Sequence, residues 1–511
     1  MELRARLLDI HAGGKRIAIL DNEIASIVGV HSSDRVKITY ENEDLIAIVN
    51  VAQDFSSKHI GLYQEISKEL SVSEGEILEV KPAERPEALE YIQAKINGER
   101  LREDHIQKII EDVVEGRFSD IELASLVTSL HINGLSMNEN EALSKSMVDT
   151  GSTILLKRRP ILDKHSIGGV PGDKTTIMVV PIIAAAGFFI PKTSSRAVTS
   201  PAGTADVVES LCPVDLSADE IKEIVEKTCG CMVWGGALEL APADDIFIQI
   251  EYPLAIDPLL LPSIMSKKKA VSATHLIIDI PTGRGAKVKT IGQAYTLAHD
   301  FVDLGNRLEM TVQCAITFGE QPIGYAVGPA LEAREALYSL MGIGPADLRE
   351  KALDIAGILL EMTNTKNGKR MARDILKSGK AEKKLREIIE AQGGNPEVQP
   401  EEIEVGDQIA EIRADKDGRV LWVNNKRIAQ FAKQAGAPRE KGAGVLLKTK
   451  LGHYVKKGNT LFEIYAERNS RLQSAIELAE KFEAIGLSKK PEERMLVGRV
   501  PPPIIYKKYD E

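Results

Sequence analysis

The spacing of apolar residues changes several times along the chain, and each change marks a domain. In residues 1–84 apolar and polar positions alternate in short runs, at 3–8, 16–20, 35–40, 45–51 and 76–80. Alternation with period two predicts strands with one buried face. A faint repeat runs through them: Leu20-x-x-Glu23-Ile24 followed by Val30 returns as Leu62-x-x-Glu65-Ile66 followed by Val72. Each copy reads as a short helix, a polar turn and a strand. Neither half buries enough alone, so the two are expected to interlock into one small β barrel of the double-psi kind.

A linker-like Lys81-Pro82-Ala83-Glu84-Arg85-Pro86 precedes residues 86–152, where the apolar period becomes helical. Ser119, and Ser136 with Glu139 three residues on, predict helix starts. Gly116, Gly134 and Gly151 read as stops. These helices are expected to pack as a compact bundle.

From residue 153 strand-like runs (154–156, 188–190, 232–234, 276–280, 310–316) alternate with helical ones (175–186, 205–211, 218–228, 289–308). That order predicts an α/β domain with a mostly parallel, helix-flanked sheet, built from 153–236 and 272–405. Pro181 is expected to kink its helix. A helical stretch at 254–270, within a return segment of about 240–270, is expected to rejoin the first bundle and leave a cleft. Residues 345–362 and 371–391 read as two more helices. Residues 406–511 read as an α+β domain, with β-rich runs at 408–423 and 444–464, an amphipathic helix at 469–485 and an extended tail at Pro501-Pro502-Pro503.

Composition narrows the function. At 511 residues, 43% hydrophobic and 27% charged, the chain reads as a soluble protein of several domains. A net charge of -10 gives a nucleic-acid partner no electrostatic support. Neither a signal-like h-region nor a membrane-length apolar run occurs, so a cytoplasmic location and no membrane partner are expected. Cys212, Cys229, Cys231 and Cys314 lack metal-ligand spacing and read as reduced thiols.

The chemistry concentrates in residues 162–176, LDKHSIGGVPGDKTT. Gly168, Gly169 and Gly172 let backbone N–H groups converge on an anion, and the following helix adds its positive dipole end. Lys164 supplies a charge; Ser166, Thr175 and Thr176 supply hydroxyls. A phosphate is the expected ligand. A P-loop fails on spacing, because Asp173 separates Gly172 from Lys174. A second hydroxyl-rich loop spans 193–204 and carries Arg196. Ligands of open parallel sheets bind at the carboxyl ends of strands. The loops, following the expected 154–156 and 188–190 strands, can therefore face each other and take two anionic groups, or a phosphate beside a sugar.

The blocks KHSIGGVPGDKTT, SSRAVTSPAGTAD, LAPAD (240–244) and SIMSKKKA (263–270) resemble the signature blocks of the pyrimidine nucleoside phosphorylase family, in order and approximate spacing. The resemblance runs from about residue 86 to the C-terminus. It implies a helical domain and an α/β domain that close over substrate, and at least a homodimer. It places Lys164, Ser166, Thr176, Ser194 and Thr204 on phosphate-binding positions, His165 on the base-side histidine, and Ser263 and Lys267 on base contacts. One position departs: the pyrimidine-reading arginine seven residues before Asp257 is Ile250 here. The N-terminal domain, the Pro171 insertion and the SSRAVTSPAGT loop resemble the nucleotide-specific branch. That implies AMP plus phosphate giving adenine and ribose 1,5-bisphosphate, with CMP and UMP as further substrates. It also implies Asp257 as proton donor, with Gly169, Ser195, Arg196, Ala197, Val198, Thr199, Ser200, Thr204, Ser263, Lys267 and Lys287 binding the nucleotide. No cofactor or metal is implied; phosphate is a co-substrate.

Plainer readings stand beside these. Asp257 before Pro258 is an ordinary turn aspartate, Lys267-Lys268-Lys269 a solvated helix face, and His165 a structural hydrogen bonder. Two rival activities are a nucleoside phosphorylase acting on thymidine or uridine and a phosphoribosyltransferase. The latter needs metal-binding acids, for which only Asp163 and Asp173 lie near. A biotinyl- or lipoyl-type carrier at Lys448-Thr449-Lys450 lacks the flanking Met.

Overall fold

The computed structural model describes residues 1–197 and 200–488. Val198, Thr199 and the Pro501 to Pro503 tail lie outside the described residues.

Strands β1 (Glu2–Leu7), β2 (Ile17–Asp21), β3 (Arg35–Tyr40), β4 (Glu43–Ala52), β5 (His59–Leu62) and β6 (Ile77–Pro82) close into a barrel in the order β1-β5-β2-β4-β3-β6. The short helices α1 (Asn22–Val28) and α2 (Gln64–Glu69) follow β2 and β5, the positions of the sequence repeat. Leu3, Leu20, Ile38, Ile60 and Leu62 fill the interior. Strand β5 goes unread in the sequence because Gly61 interrupts its apolar run. A side chain there would meet Leu8 Cδ1 at 2.9 Å. The barrel docks on the helical domain through buried Arg35, which pairs with Glu122, and through Lys15, 2.6 Å from Asp120.

Helices α3 (Ala88–Ile96), α4 (Glu103–Val114), α5 (Asp120–Asn133) and α6 (Met137–Asp149) form the bundle; Ser119–Glu122 and Ser136–Glu139 capping boxes start α5 and α6. The chain then alternates: β7 (Leu162–Ser166), α7 (Thr175–Ala185), β8 (Ile190–Ser194), α8 (Thr204–Val208), α9 (Ala218–Thr228), β9 (Gly230–Trp234). Helices α10 (Pro242–Leu254) and α11 (Leu260–Ala270) come next, and Phe247 and Leu259 join the apolar core of the bundle. Strands β10 (His275–Thr282) and β11 (Thr311–Phe318), on either side of α12 (Ile291–Arg307), complete the α/β core. The parallel sheets β11-β10-β7 and β8-β9 are joined by one parallel bridge, Ile161 to Phe189. All five strands therefore end at one edge.

Several expectations are corrected. No strand forms at 154–156: Ile154 and Leu156 are buried, but the Ile154 N–H donates to the Ala270 carbonyl. The strand starts beyond Pro160, which has no N–H for a ladder, so Lys164, His165 and Ser166 lie on β7 itself. Likewise Ser194 ends β8. Helix α7 runs through Pro181. The 254–270 helix begins only at Leu260; Ala255 at φ 53° ends α10 and leaves Asp257 in the turn. After β12 (Ala326–Val327), α13 (Pro329–Leu340) and α14 (Ala346–Glu361), the expected 371–391 helix splits at Gly379 (φ 74°) into α15 (Gly368–Lys377) and α16 (Lys380–Ala391).

The C-terminal unit holds β13 (Gln408–Arg413), β14 (Gly418–Val423), α17 (Asn425–Gln434), β15 (Gly444–Leu447), β16 (Tyr454–Val455), β17 (Thr460–Ala466), α18 (Asn469–Lys481) and β18 (Ile485–Ser488). Its first sheet, β12-β15-β17-β13, takes β12 from the preceding domain, so the expected boundary at residue 406 is not clean; its second is β16-β14-β18. The expected 469–485 helix stops at Lys481. Among the described residues, no helix is long and apolar enough to cross a membrane.

Candidate active site

The Lys-His-Ser end of β7 opens into the glycine turn, with Gly168, Gly169 and Gly172 at φ 80°, 90° and 76°. Only glycine adopts these without strain. A Cβ on Gly169 would stand 2.5 Å from the Lys287 backbone nitrogen, so the turn packs directly on the loop after β10. Beneath it lies a buried charge network. Lys164 Nζ sits 3.3 Å from Thr176 Oγ1 and 3.9 Å from Asp279 Oδ2. Thr317 Oγ1 donates to Asp279 Oδ1 at 2.6 Å. Lys351, from α14, lies 2.7 Å from Asp279 Oδ2 and 3.3 Å from Asp173 Oδ2. Burial alone would raise the Asp173 pKa; Lys351 and Lys164 overcome it and hold the carboxyl well below its ordinary range. Lys174 is not free for a ligand: its ammonium contacts the Ile323 and Ala326 carbonyls and Glu335.

His165 lies beside a second cluster. Lys268 Nζ is 2.8 Å from Asp163 Oδ2, and Lys192 Nζ is 3.8 Å from Asp163 Oδ1. Burial, then the charges of Lys268, Lys192, Lys164 and Lys267, push the His165 pKa well below its ordinary value. The ring is therefore a neutral hydrogen bonder at neutral pH. Asp163 and Asp173 are both taken by lysines, which weakens the metal-binding reading. Lys268 is buried, not a solvated helix face.

The second loop is organised by Asp206, whose Oδ2 accepts from the Ala197 N–H at 2.7 Å and the Gly203 N–H at 2.9 Å. Ser200 Oγ donates to the Ala202 carbonyl at 2.9 Å, and Ser194 Oγ reaches the Val233 carbonyl at 3.4 Å. Arg196 is engaged by protein partners. Its guanidinium grips Glu209 through two 2.7 Å bonds and lies 4.9 Å from the Trp234 ring centroid. Ser195 is exposed, and Thr204 starts α8.

The helical side faces these loops. Asp257, in the turn between α10 and α11, pairs with Lys287 of the Gly283 to Lys287 loop. Lys267 Nζ lies 2.5 Å from Asp244 Oδ2. Burial opposes the Lys267 charge, and Asp244 and Asp245 more than offset this, raising its pKa. Ser263 is partly exposed on α11. Gly169, Lys287 and Asp257 thus form one run of contacts from the glycine turn to the helical side.

Some participants carry no readable sequence signal. Asp279 has a faint one, a charge inside the apolar Leu276-Ile277-Ile278-Asp279-Ile280 run. Lys351 has none. Asn425 reaches in from the C-terminal domain: it donates to the Gly319 carbonyl at 2.9 Å and packs so closely that a Cβ on Gly285 would stand 2.8 Å from its Nδ2.

Glu251, near Asp257, is held by burial and then by the Asp257 charge at a pKa of about 7, against an ordinary 4.5. Its folded-state pKa is raised, so the folded chain keeps a proton that the unfolded chain releases between those values. Stability therefore falls as pH rises through that window. Glu251→Gln keeps an acceptor for the Leu259 N–H and is expected to abolish the fall, gaining on the order of 2 kcal/mol at pH 8. Thermal melts at pH 5 and pH 8 check this; an unchanged pH dependence contradicts it.

Comparison with known proteins fits this geometry. Family models match three segments: "Glycosyl transferase family, helical bundle domain" at 89–151, "Glycosyl transferase family, a/b domain" at 158–382, and "Pyrimidine nucleoside phosphorylase C-terminal domain" at 419–486. An AMP phosphorylase of Thermofilum pendens is 48% identical over 500 residues, covering 98% of each chain. Another, of Thermococcus kodakarensis, is 50% identical over 491 residues, covering 95% of this chain and 97% of its own. That of Methanocaldococcus jannaschii is 49% identical over 485 residues, covering 93% and 96%. The solved anthranilate phosphoribosyltransferase of Thermus thermophilus, 19% identical, superposes with a TM-score of 0.51 over 59% of this chain and 98% of its own, a likeness of fold alone. With near-complete coverage at about half identity, the chain belongs to the AMP phosphorylase family, on the helical and α/β scaffold of the nucleoside phosphorylases.

Proposed function

We propose that the protein cleaves AMP with inorganic phosphate, releasing adenine and ribose 1,5-bisphosphate. One observation carries this reading: a carboxylate from the helical side, Asp257, meets Lys287 at the very loop on which the Gly169 turn packs. An acid and an anion-holding turn thus share one cleft. Phosphate rests near Lys164, Ser166, Thr176, Ser194 and Thr204, and one of its oxygens attacks C1′ of the ribose. The C1′–N9 bond breaks and its electron pair leaves with adenine; Asp257, which takes up a proton before the step, gives that proton to the base and returns to the carboxylate that pairs with Lys287. Such proton transfer contributes about 10²–10⁴-fold. The rest comes from holding phosphate beside C1′ and stabilising charge in the transition state. His165, neutral, serves the base side as a hydrogen-bonding group. CMP and UMP are further substrates, and the working form is a homodimer or larger assembly.

Ile250 supports AMP over thymidine or uridine as the main substrate. It packs against the apolar core of the helical domain, where no charge is offered to a pyrimidine carbonyl. The test is incubation with phosphate and AMP, uridine or thymidine, with free base measured. Phosphate-dependent adenine release from AMP is expected. Cleavage of uridine without AMP would overturn the reading.

A further inference from the structure

Resting on that phosphate site, we infer that Lys351 is a positioning residue that keeps Lys164 available to the incoming phosphate by taking up both carboxylates beneath the turn. Four charged side chains lie together there, nearly closed to solvent: Lys164 at 2% exposure, Asp279 at 0%, Lys351 at 9% and Asp173 at 11%. Two ammonium groups face two carboxylates, so the network is balanced before phosphate arrives. The distances are unequal. Lys351 holds Asp279 Oδ2 at 2.7 Å and Asp173 Oδ2 at 3.3 Å, whereas Lys164 stands 3.9 Å from the same Asp279 oxygen. Asp279 Oδ1 is taken by the Thr317 hydroxyl at 2.6 Å. Among the described residues, the Lys164 ammonium therefore has a long ion contact and one 3.3 Å approach to Thr176 Oγ1.

Removing the Lys351 ammonium changes this in two ways. Two buried carboxylates then face a single lysine, and in a low-dielectric pocket Lys164 is drawn onto Asp279. The local charge also becomes negative where a phosphate must enter, and like charge in such a site repels it. Burial opposes the Lys351 charge, but Asp173 and Asp279 hold it firmly protonated. Lys351 reaches the network from α14, and its ammonium is engaged by the two carboxylates rather than turned toward the Thr176 hydroxyl.

The test uses the full chain. Lys351→Met is expected to raise the phosphate KM at least about tenfold, the scale of one lost charge-assisted contact, with the AMP KM within about twofold. Lys351→Arg is expected to retain most of the phosphate affinity, since a guanidinium can serve both carboxylates. Adding Asp279→Asn to Lys351→Met removes the competitor for Lys164 and is expected to bring the phosphate KM back toward wild type. A double variant no better than the single one, or equal rises in both KM values, would overturn the assignment. If Lys351→Met does not fold, Asp279→Asn alone decides: phosphate affinity preserved supports the idea, and a loss equal to that of Lys164→Ala refutes it. Calorimetric titration with inorganic phosphate alone provides a readout independent of turnover. Wild-type protein that releases no adenine would refute the proposed function, while that titration still tests Lys351.

Discussion

Replacing Asp257 with Asn is expected to lower turnover with AMP by about 10²–10⁴-fold, the range of a lost general acid. Asn matches Asp in shape, so the turn between α10 and α11 keeps its backbone. It cannot give a proton to a departing base, and that loss falls on the transition state rather than the ground state. Asp257 also pairs with Lys287. Asn leaves that ammonium unpaired at a partly exposed site, which favours an anionic ligand and works against any loss of AMP affinity. Nucleotide binding, measured by titration without phosphate, is therefore expected to stay within about threefold, inside the scatter of a surface ion pair. A fall in affinity as large as the fall in kcat would argue that Asp257 only shapes the cleft, as a turn aspartate does.

What the sequence made legible follows from locality. Gly168, Gly169 and Gly172 were readable as a turn because several glycines within five residues leave few other conformations, and all three have positive φ. The helix starts at Ser119 and Ser136 were readable because a cap is a contact three residues long. Strand ends were less so. The apolar Ile154 and Leu156 are core residues, but Pro160 delays the ladder to Leu162, and no local pattern separates burial from pairing. The partners of charges were the least legible. Arg196 looks like an anion ligand in its loop, yet Glu209 takes both prongs of its guanidinium. Lys267 likewise sits on Asp244. Sequence shows the sign of a charge and not its partner. For the same reason Lys351 and Asp279, which meet only through the packing of α14 against β10, could not be joined to Lys164 from the sequence.

That network also fixes what removal of Lys164 should do. Lys164→Ala deletes the one ammonium in it without a short carboxylate contact, while Asp279 keeps Lys351 and Thr317. The fold therefore loses little, because no carboxylate is stranded by the change. The loss falls on phosphate. A hydrogen bond to a charged group is worth about 1.5–3 kcal/mol, so the phosphate KM is expected to rise roughly 10- to 150-fold. Turnover at saturating phosphate should fall as well, since the same ammonium stabilises charge as the phosphate oxygen approaches C1′. Lys164→Arg should not restore it: the guanidinium fork would reach toward Asp279 rather than the ligand. The measurement is a phosphate saturation curve at fixed AMP, with a thermal melt to certify the fold. A curve that does not move would place the phosphate elsewhere, away from the Gly168 turn.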